Sequence, residues 1–246
     1  MKRISSPLFL AIFFGVGIAQ AQDTLYTYKD GQIVSKRATI DIDSMTFSKP
    51  KPVGPTIDGY TYSTVTIGNQ VWFAENLRTA QYNDGTLIPT ASDFVVPTTP
   101  AMFWWVNDQA NFSVNKHGAL YNWFAVNTGK LCPVGWHVPS NAEWTVLTNY
   151  LGGESVAGGK MKITGYDYWL SPNAAATNSS GFNATGSGFR TLGGSYSSLN
   201  VNGYYSSSTE NDSSRSLIRY LGYNDGSATT QVSSKGCAIS VRCLKD

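Results

Sequence analysis

Charged residues are scarce in this chain. Asp, Glu, Lys and Arg make up 14% of its 246 residues, against roughly 25% in an average soluble protein. The two signs nearly cancel, with 18 Lys and Arg against 16 Asp and Glu. Domains that bind nucleic acid carry a clustered surplus of basic residues. The composition therefore argues against a nucleic-acid partner.

Side chains that bind metals are also few. The chain has two histidines and three cysteines, and no Cys-x-x-Cys or His-x-x-x-His spacing occurs. Structural zinc sites use four such ligands, commonly in short paired spacings. We therefore expect no metal site and no cofactor.

Glycine and aromatic residues are abundant instead. The chain has 24 Gly, and Phe, Trp and Tyr make up 13% of the residues. Disordered chains are poor in aromatic residues because they cannot bury enough apolar surface. The composition, which is also rich in Ser, Thr and Asn, is typical of an exported β protein with long loops.

The N-terminus predicts export. The basic start Met1-Lys2-Arg3 precedes an apolar run from Leu8 to Ile18, which ends in Ala19-Gln20-Ala21. This order is that of a secretory signal peptide over residues 1–21. A membrane span needs about 20 apolar residues, and no run in the chain is that long, so the mature chain is expected to be secreted without a membrane span. No cysteine lies near the cleavage point, which argues against a lipoprotein.

Proline content divides the mature chain. Residues 22–48 read as a short β-hairpin with its turn at Asp30-Gly31. Residues 49–58 are rich in proline, which favours extended backbone and predicts a linker. The main domain is then expected over residues 59–246.

The main domain shows an α+β pattern. Two runs around Gly68-Asn69 predict a hairpin, and residues 238–244 predict a last strand. Residues 118–127 and 140–151 predict two short helices. The second is the stronger prediction, because Ser140 and Glu143 have the spacing of a capping box.

Several segments of the main domain carry a family resemblance. They read TIGNQVW from Thr66, AENLR from Ala74, YNDGT from Tyr82, GALYNW from Gly118, CPVGWHVPS from Cys132, SSTE from Ser207 and SVRC from Ser240. Together they resemble the Fibrobacter succinogenes major paralogous domain, which occurs in exported proteins of Fibrobacter and Bacteroidetes. The resemblance covers residues 60–246 and implies no defined activity.

The resemblance also implies a fold. The segment around Cys132 is similar to C-type-lectin-like and formylglycine-generating-enzyme-like domains, which have two short helices, small antiparallel sheets and long loops. In those domains a cysteine that closes the first helix pairs with one in the last strand, which implies a Cys132–Cys243 disulfide here. Such a bridge would close a long loop, a stabilising arrangement. Cys237 is then left as a free thiol.

Two aromatic patches are the candidate binding residues. They combine aromatic rings with Asn and Asp, which suits stacking and hydrogen bonding to sugar hydroxyls, and comprise Trp104, Trp105, Asn107, Asp108, Tyr204 and Tyr205. The alternative is that these rings fill the core. The Glu-Pro-Asn or Gln-Pro-Asp triplet by which related lectins bind calcium is missing, so calcium-dependent binding is not expected.

Catalysis has weaker support in the sequence. Cys237 is the candidate nucleophile, and Lys235 is the nearest cation that could lower its pKa. The motif around His137 favours a hydrogen-bonded core residue over a catalytic base. Arg242 lies between apolar residues, and we expect Glu75 or Glu210 to pair with it, because a lone buried charge is costly.

These observations predict an exported, non-enzymatic binding or surface-associated module. Its expected partner is a glycan or a cell-surface protein. The alternative is a secreted enzyme related to formylglycine-generating-enzyme-like domains, which would need a polar cleft around Cys237, His117 or His137.

Overall fold

A computed structural model describes residues 24–29, 32–38, 53–90, 97–112 and 115–246. Backbone contacts divide the chain into two compact units, Met1–Pro50 and Lys51–Asp246. The predicted signal peptide, residues 1–21, lies outside the described residues.

The first unit contains a β-hairpin. Strand β1 (Thr24–Lys29) pairs antiparallel with β2 (Gln32–Ala38). This confirms the predicted pair of strands in the leader segment. The predicted turn residues Asp30 and Gly31, and residues 39–48, lie outside the described part.

The second unit contains short strands and four short α-helices in its described residues. The strands are β3 (Val53–Ile57), β4 (Tyr60–Ile67), β5 (Gln70–Phe73), β6 (Met102–Phe103), β7 (Leu120–Asn122), β8 (Trp136–His137), β9 (Ser187–Arg190), β10 (Tyr196–Leu199), β11 (Asn202–Glu210), β12 (Arg215–Gly222), β13 (Thr229–Ser234), β14 (Ala238–Ile239) and β15 (Leu244–Lys245). The helices are α1 (Gln109–Phe112), α2 (Trp123–Val126), α3 (Asn141–Tyr150) and α4 (Glu154–Met161). This confirms the predicted α+β class with small antiparallel sheets.

The smaller sheet has the strand order β3-β4-β5-β15-β8. Strands β4 and β5 form the predicted hairpin around Gly68-Asn69, with Ile67 opposite Gln70. Strand β3 corrects the predicted linker over residues 49–58, because residues 53–57 pair with β4. Pro55 is tolerated there because β3 is an edge strand with an irregular register, where a missing backbone donor costs little.

The larger sheet has the order β13-β12-β11-β9-β14-β7-β6, and β10 pairs with β9. All its strand pairs are antiparallel except β9 with β11. The predicted last strand over residues 238–244 is in fact two short strands. Strand β14 belongs to this sheet and β15 to the smaller one, so the chain between them passes from one sheet to the other.

The helix predictions were right at one position and too long at the other. Helix α3 begins after Ser140, whose hydroxyl accepts from the Glu143 amide while the Glu143 carboxylate accepts from the Ser140 amide. Within residues 118–127 only Trp123–Val126 is helical. Leu120–Asn122 instead pairs with β6 and β14. Helices α1 and α4 were not predicted.

A disulfide ties the last strand region to the end of the α2 segment. Cys132 and Cys243 are bonded, with their Cα atoms 5.9 Å apart and a sequence separation of 111. Cys237 is free. Both parts of the prediction are confirmed.

Arg242 is fully buried beside this disulfide. The prediction that Glu75 or Glu210 pairs with Arg242 is wrong, and the partners of Arg242 are neutral oxygens. Its guanidinium donates to the Asn76 side-chain oxygen at 2.6 Å and to the backbone carbonyls of Phe73, Phe182 and Asn183 at 2.6–2.9 Å. Carbonyl and amide oxygens from separate segments thus solvate the charge in place of a carboxylate.

Lys162 is another fully buried cation. Its ammonium donates to the carbonyls of Ala174, Gly222 and Asp225 at 2.8, 2.9 and 2.7 Å. An ammonium has three donors, and each has one acceptor here. The side chain therefore joins the loop after Pro172 to the loop that follows β12.

Candidate functional site

The two predicted aromatic patches are each split between core and surface. Trp104 is 8% exposed and Tyr205 is completely buried. The Tyr205 ring packs against Trp144 and Phe182, and its hydroxyl is hydrogen-bonded to the backbone of Thr185. Tyr205 is therefore a core residue, which corrects its prediction as a ligand contact. Trp104 can therefore offer only a small part of its surface to a ligand.

Tyr204 lies on the other face of β11 and is half-buried. Its ring contacts Phe189 of β9 and Tyr220 of β12, with centroids 4.9 and 5.4 Å apart. Asn202 donates to the Tyr204 hydroxyl and accepts from that of Tyr220. The three rings form a row across neighbouring strands.

Trp105 belongs to a different group of aromatic rings. It contacts Tyr196 at 5.4 Å and Phe112 at 6.3 Å between centroids, and the Tyr196 hydroxyl donates to Asn107 at 3.3 Å. Gly188 makes this packing possible, because a Cβ there would come within 2.6 Å of the Trp105 ring. In the described part of the chain, no ring contact joins this group to Tyr204.

The backbone that follows Trp105 is strained. Val106 has φ 44° and ψ 32°, and Asn107 has φ 62°. The left-handed region is rare for a β-branched residue, and such outliers concentrate at functional sites. The Asp108 carboxylate has a local structural role. It accepts hydrogen bonds from the backbone amide and the side chain of Asn111 in α1.

A cleft of about 470 Å³ lies next to this segment. Its lining comes from the β3–β4 turn, from the chain after Leu77 and from the Trp104–Gln109 segment. The lining residues are Ile57, Asp58, Gly59, Tyr60, Tyr62, Arg78, Thr79, Ala80, Gln81, Trp104 and Gln109. A cleft with apolar walls and a few convergent polar groups is the usual form of a ligand site.

Asp58 is fixed at the rim of this cleft. It precedes Gly59 in a two-residue turn, and both have positive φ, 50° and 72°, as Asp-Gly hairpin turns require. The Thr79 hydroxyl and the Ala80 amide both lie within hydrogen-bond distance of Asp58 Oδ2, at 2.5 and 2.9 Å. Asp58 Oδ1 accepts no hydrogen bond from any described residue, so it is available to a ligand.

The cleft wall contains an internally paired charge cluster. Arg78 donates to Glu75 Oε2 at 3.3 Å and lies 4.2 Å over the Tyr60 ring. The Tyr60 hydroxyl donates to the same carboxylate. Burial and this hydrogen bond raise the pKa of Tyr60 to about 12, so its hydroxyl stays protonated at neutral pH.

A smaller cleft of about 260 Å³ shares Ile57, Asp58 and Gln81 with the first. Asp58 and Gln81 therefore form a wall between two depressions. Of the binding residues predicted from the sequence, only Trp104 lines the larger cleft. The Asp58-Gly59 turn was a usable local signal, but the approach of Arg78 and Gln109 to it depends on the tertiary fold.

In the described part of the chain, neither Lys235 nor either histidine forms a hydrogen bond with Cys237. Burial raises the pKa of the Cys237 thiol, whereas a nucleophile needs a lowered one. Lys235 is engaged elsewhere: its ammonium contacts Glu210 and the Ser213 carbonyl and lies 4.4 Å from the Trp123 ring centroid.

The two histidines lie in contrasting environments. His137 is not a core residue, since its side chain is 38% exposed, and it is hydrogen-bonded to Asp246 at 2.6 Å and Glu143 at 2.9 Å. Partial burial works to lower its pKa, but these two hydrogen bonds outweigh it and leave the pKa raised. His117 is 6% exposed, and its Nδ1 is buried without a hydrogen-bond partner. Burial lowers its pKa to about 4.

A metal cluster and a membrane-spanning helix are both absent from the residues that the structure describes. No group of three or more His, Cys, Asp or Glu side chains there could hold a metal ion. None of the helices there has the length and apolar character that crossing a membrane requires.

Comparison with known proteins gave one match. The family model described as Fibrobacter succinogenes major domain matches residues 65–245. No curated protein and no solved structure matched the chain.

Proposed function

The chain belongs to the Fibrobacter succinogenes major domain family, and from that premise we propose that it is an exported, non-enzymatic binding module whose cleft beside Asp58 holds a glycan. The observation that carries this proposal is the fixed Asp58 carboxylate. One of its oxygens is held by Thr79 and Ala80, and the other is an unused acceptor at the cleft rim.

The rest of the lining suits a sugar. Tyr60 and Trp104 supply aromatic surface to the lining, and the exposed residues Gln81 and Gln109 carry amides that can donate and accept hydrogen bonds. Sugar hydroxyls need both donors and acceptors close to an apolar surface. The cleft offers this combination without a metal ion.

Export is supported by two independent features. The N-terminal 21 residues have the order of a signal peptide, and the Cys132–Cys243 disulfide is a bond that persists in oxidising compartments. The same bridge, from the α2 segment to the final strand region, supports a C-type-lectin-like arrangement. Against the enzyme alternative stand the raised pKa of Cys237 and the engagement of Lys235 elsewhere.

A glycan array probed with the mature chain, residues 22–246, tests the proposal. We expect saturable binding that Asp58→Asn and Gln109→Ala each weaken at least tenfold, since a hydrogen bond to a charged group contributes about 1.5–3 kcal/mol. Tyr204→Ala is the matched control. Tyr204 belongs to the row of rings on β11 and does not line the cleft, so this change should leave binding unchanged.

Three results would redirect the proposal. Binding that is lost with Tyr204→Ala and retained with Asp58→Asn would move the site to the row of rings on β11. A strict calcium requirement would contradict a site without metal. If no glycan binds, a protein partner becomes the better hypothesis.

A further inference from the structure

The charges around the cleft can be counted one by one. Among the residues that the structure describes, two charged side chains line it, Asp58 and Arg78. The Arg78 side chain is 6% exposed and is paired with Glu75, which is itself 12% exposed. Because these two opposite charges lie next to each other in the wall, their electrostatic fields largely cancel beyond the pair.

Of these two described charges, Asp58 is therefore the one without an ion-pair partner among the described residues. It is exposed at the turn, and no cation among the described residues forms an ion pair with its carboxylate. The remaining polar groups, Gln81 and Gln109, are neutral. Tyr60 is neutral as well, because its hydroxyl keeps its proton and donates a hydrogen bond to Glu75.

From this arrangement we propose that the cleft selects uncharged, hydroxyl-rich sugars and rejects sugars that carry a carboxylate or sulfate, with Asp58 as the specificity-determining residue. This inference rests on the proposed function and adds the ligand class to it. A sugar hydroxyl donates to Asp58 Oδ1, whereas an anionic substituent at that point faces a like charge. Two unit charges a few ångströms apart near a protein surface repel appreciably.

The Asp58 carboxylate is held in place, so it cannot turn away from an anionic ligand. An exposed carboxylate on a flexible side chain could rotate away from an anionic ligand. Here Oδ2 is held by Thr79 and Ala80, which belong to a different segment from the turn. Rotation would break both hydrogen bonds, so the charge stays at the rim.

The test compares matched pairs of oligosaccharides that differ in one group, a neutral hexose against the corresponding uronic acid. Affinities are measured by calorimetry at low and high salt with the mature chain. We expect the uronic acid to bind at least tenfold more weakly at low salt, and the gap to narrow at high salt because screening weakens the repulsion.

Two variants separate charge from shape. Asp58→Asn keeps an oxygen for Thr79 and Ala80 and removes the charge, so the two sugars should then bind within about threefold of each other. Asp84→Asn, which removes an exposed carboxylate paired with Lys130, is the matched control and should keep the tenfold preference.

The outcomes distinguish this inference from the proposed function. Equal or tighter binding of the uronic acid by the unaltered chain overturns the inference and leaves a glycan-binding cleft in place. A preference that persists in Asp58→Asn also overturns it, because selection would then come from shape. Absence of binding to both sugars and to the whole array removes the proposed function itself.

Discussion

His117 should make the protein lose stability in mild acid. The residue is 6% exposed, and its ring packs between Phe112 and Tyr168 with centroids 5.8 and 5.0 Å away. No acceptor in the described part of the chain is available to Nδ1. Protonation would place an unpaired charge among aromatic rings, and burial accordingly lowers the pKa to about 4.

The magnitude follows from the difference between the folded and unfolded pKa. An unfolded histidine titrates near 6.5, so between pH 6.5 and 4 the unfolded chain binds a proton that the folded chain does not. Stability from this group is complete above pH 6.5 and is lost as the pH falls towards 4. Linkage gives a loss of about 2 kcal/mol between pH 8 and 5, and of about 3 kcal/mol by pH 4.

His137 acts in the opposite direction over the same range. Its folded pKa is raised, so its contribution is present below pH 6.5 and disappears as the pH rises through the folded value. The loss from His117 is therefore best measured in a His137→Gln background, since these are the only two histidines of the chain.

Urea unfolding followed by tryptophan fluorescence at pH 8, 6.5 and 5 measures the effect. We expect His137→Gln to lose about 2 kcal/mol on acidification to pH 5. The double variant with His117→Phe, whose aromatic ring suits the site and cannot titrate, should lose far less. NMR titration should give one histidine pKa near 4 and one above 6.5. If His117→Phe leaves the drop in the free energy of unfolding between pH 8 and 5 unchanged, His117 is not its cause.

Three further predictions concern the supports of the fold. Cys132→Ser should lower the free energy of unfolding by about 5 kcal/mol, because the bridge spans 111 residues of sequence; Cys237→Ser should cost under about 1 kcal/mol, and equal losses in urea unfolding would contradict this. Lys162→Met should cost at least about 3 kcal/mol by leaving three buried carbonyls without donors, whereas the control Lys160→Met loses one hydrogen bond; similar melting temperatures for both would refute the role of the buried ammonium. Ser140→Ala should cost about 1 kcal/mol through loss of the N-cap, and an unchanged melting temperature would show that tertiary packing alone fixes the start of α3.

Local chemistry made several elements predictable. The capping box at Ser140 specifies the start of α3, and Gly68-Asn69 specifies the hairpin between β4 and β5. Both depend on side chains and backbone preferences within a few residues, which the sequence contains directly. The Cys132–Cys243 pairing came from the resemblance to a family rather than from spacing.

Predictions failed where a distant partner decides the conformation. Leu120–Asn122 has the periodicity of a helix, yet it pairs with β6 and β14. Backbone hydrogen bonds to neighbouring strands outweigh a weak helical preference over so short a run. Residues 53–57 likewise form a strand despite Pro55, because β4 offers an edge on which a missing donor is tolerated.

The candidate site shows the same division. The sequence alone determined the class of the chain and its abundance of aromatic residues, and it predicts an export signal, because these follow from composition and local order. It could not tell which member of Trp104-Trp105 or Tyr204-Tyr205 is buried, since adjacent side chains point in different directions and only the packed neighbours decide which one faces the core. The cleft depended still more on tertiary structure: Asp58, Arg78 and Gln109 are far apart in the chain, and their meeting required the β3–β4 turn to be held by Thr79 and Ala80.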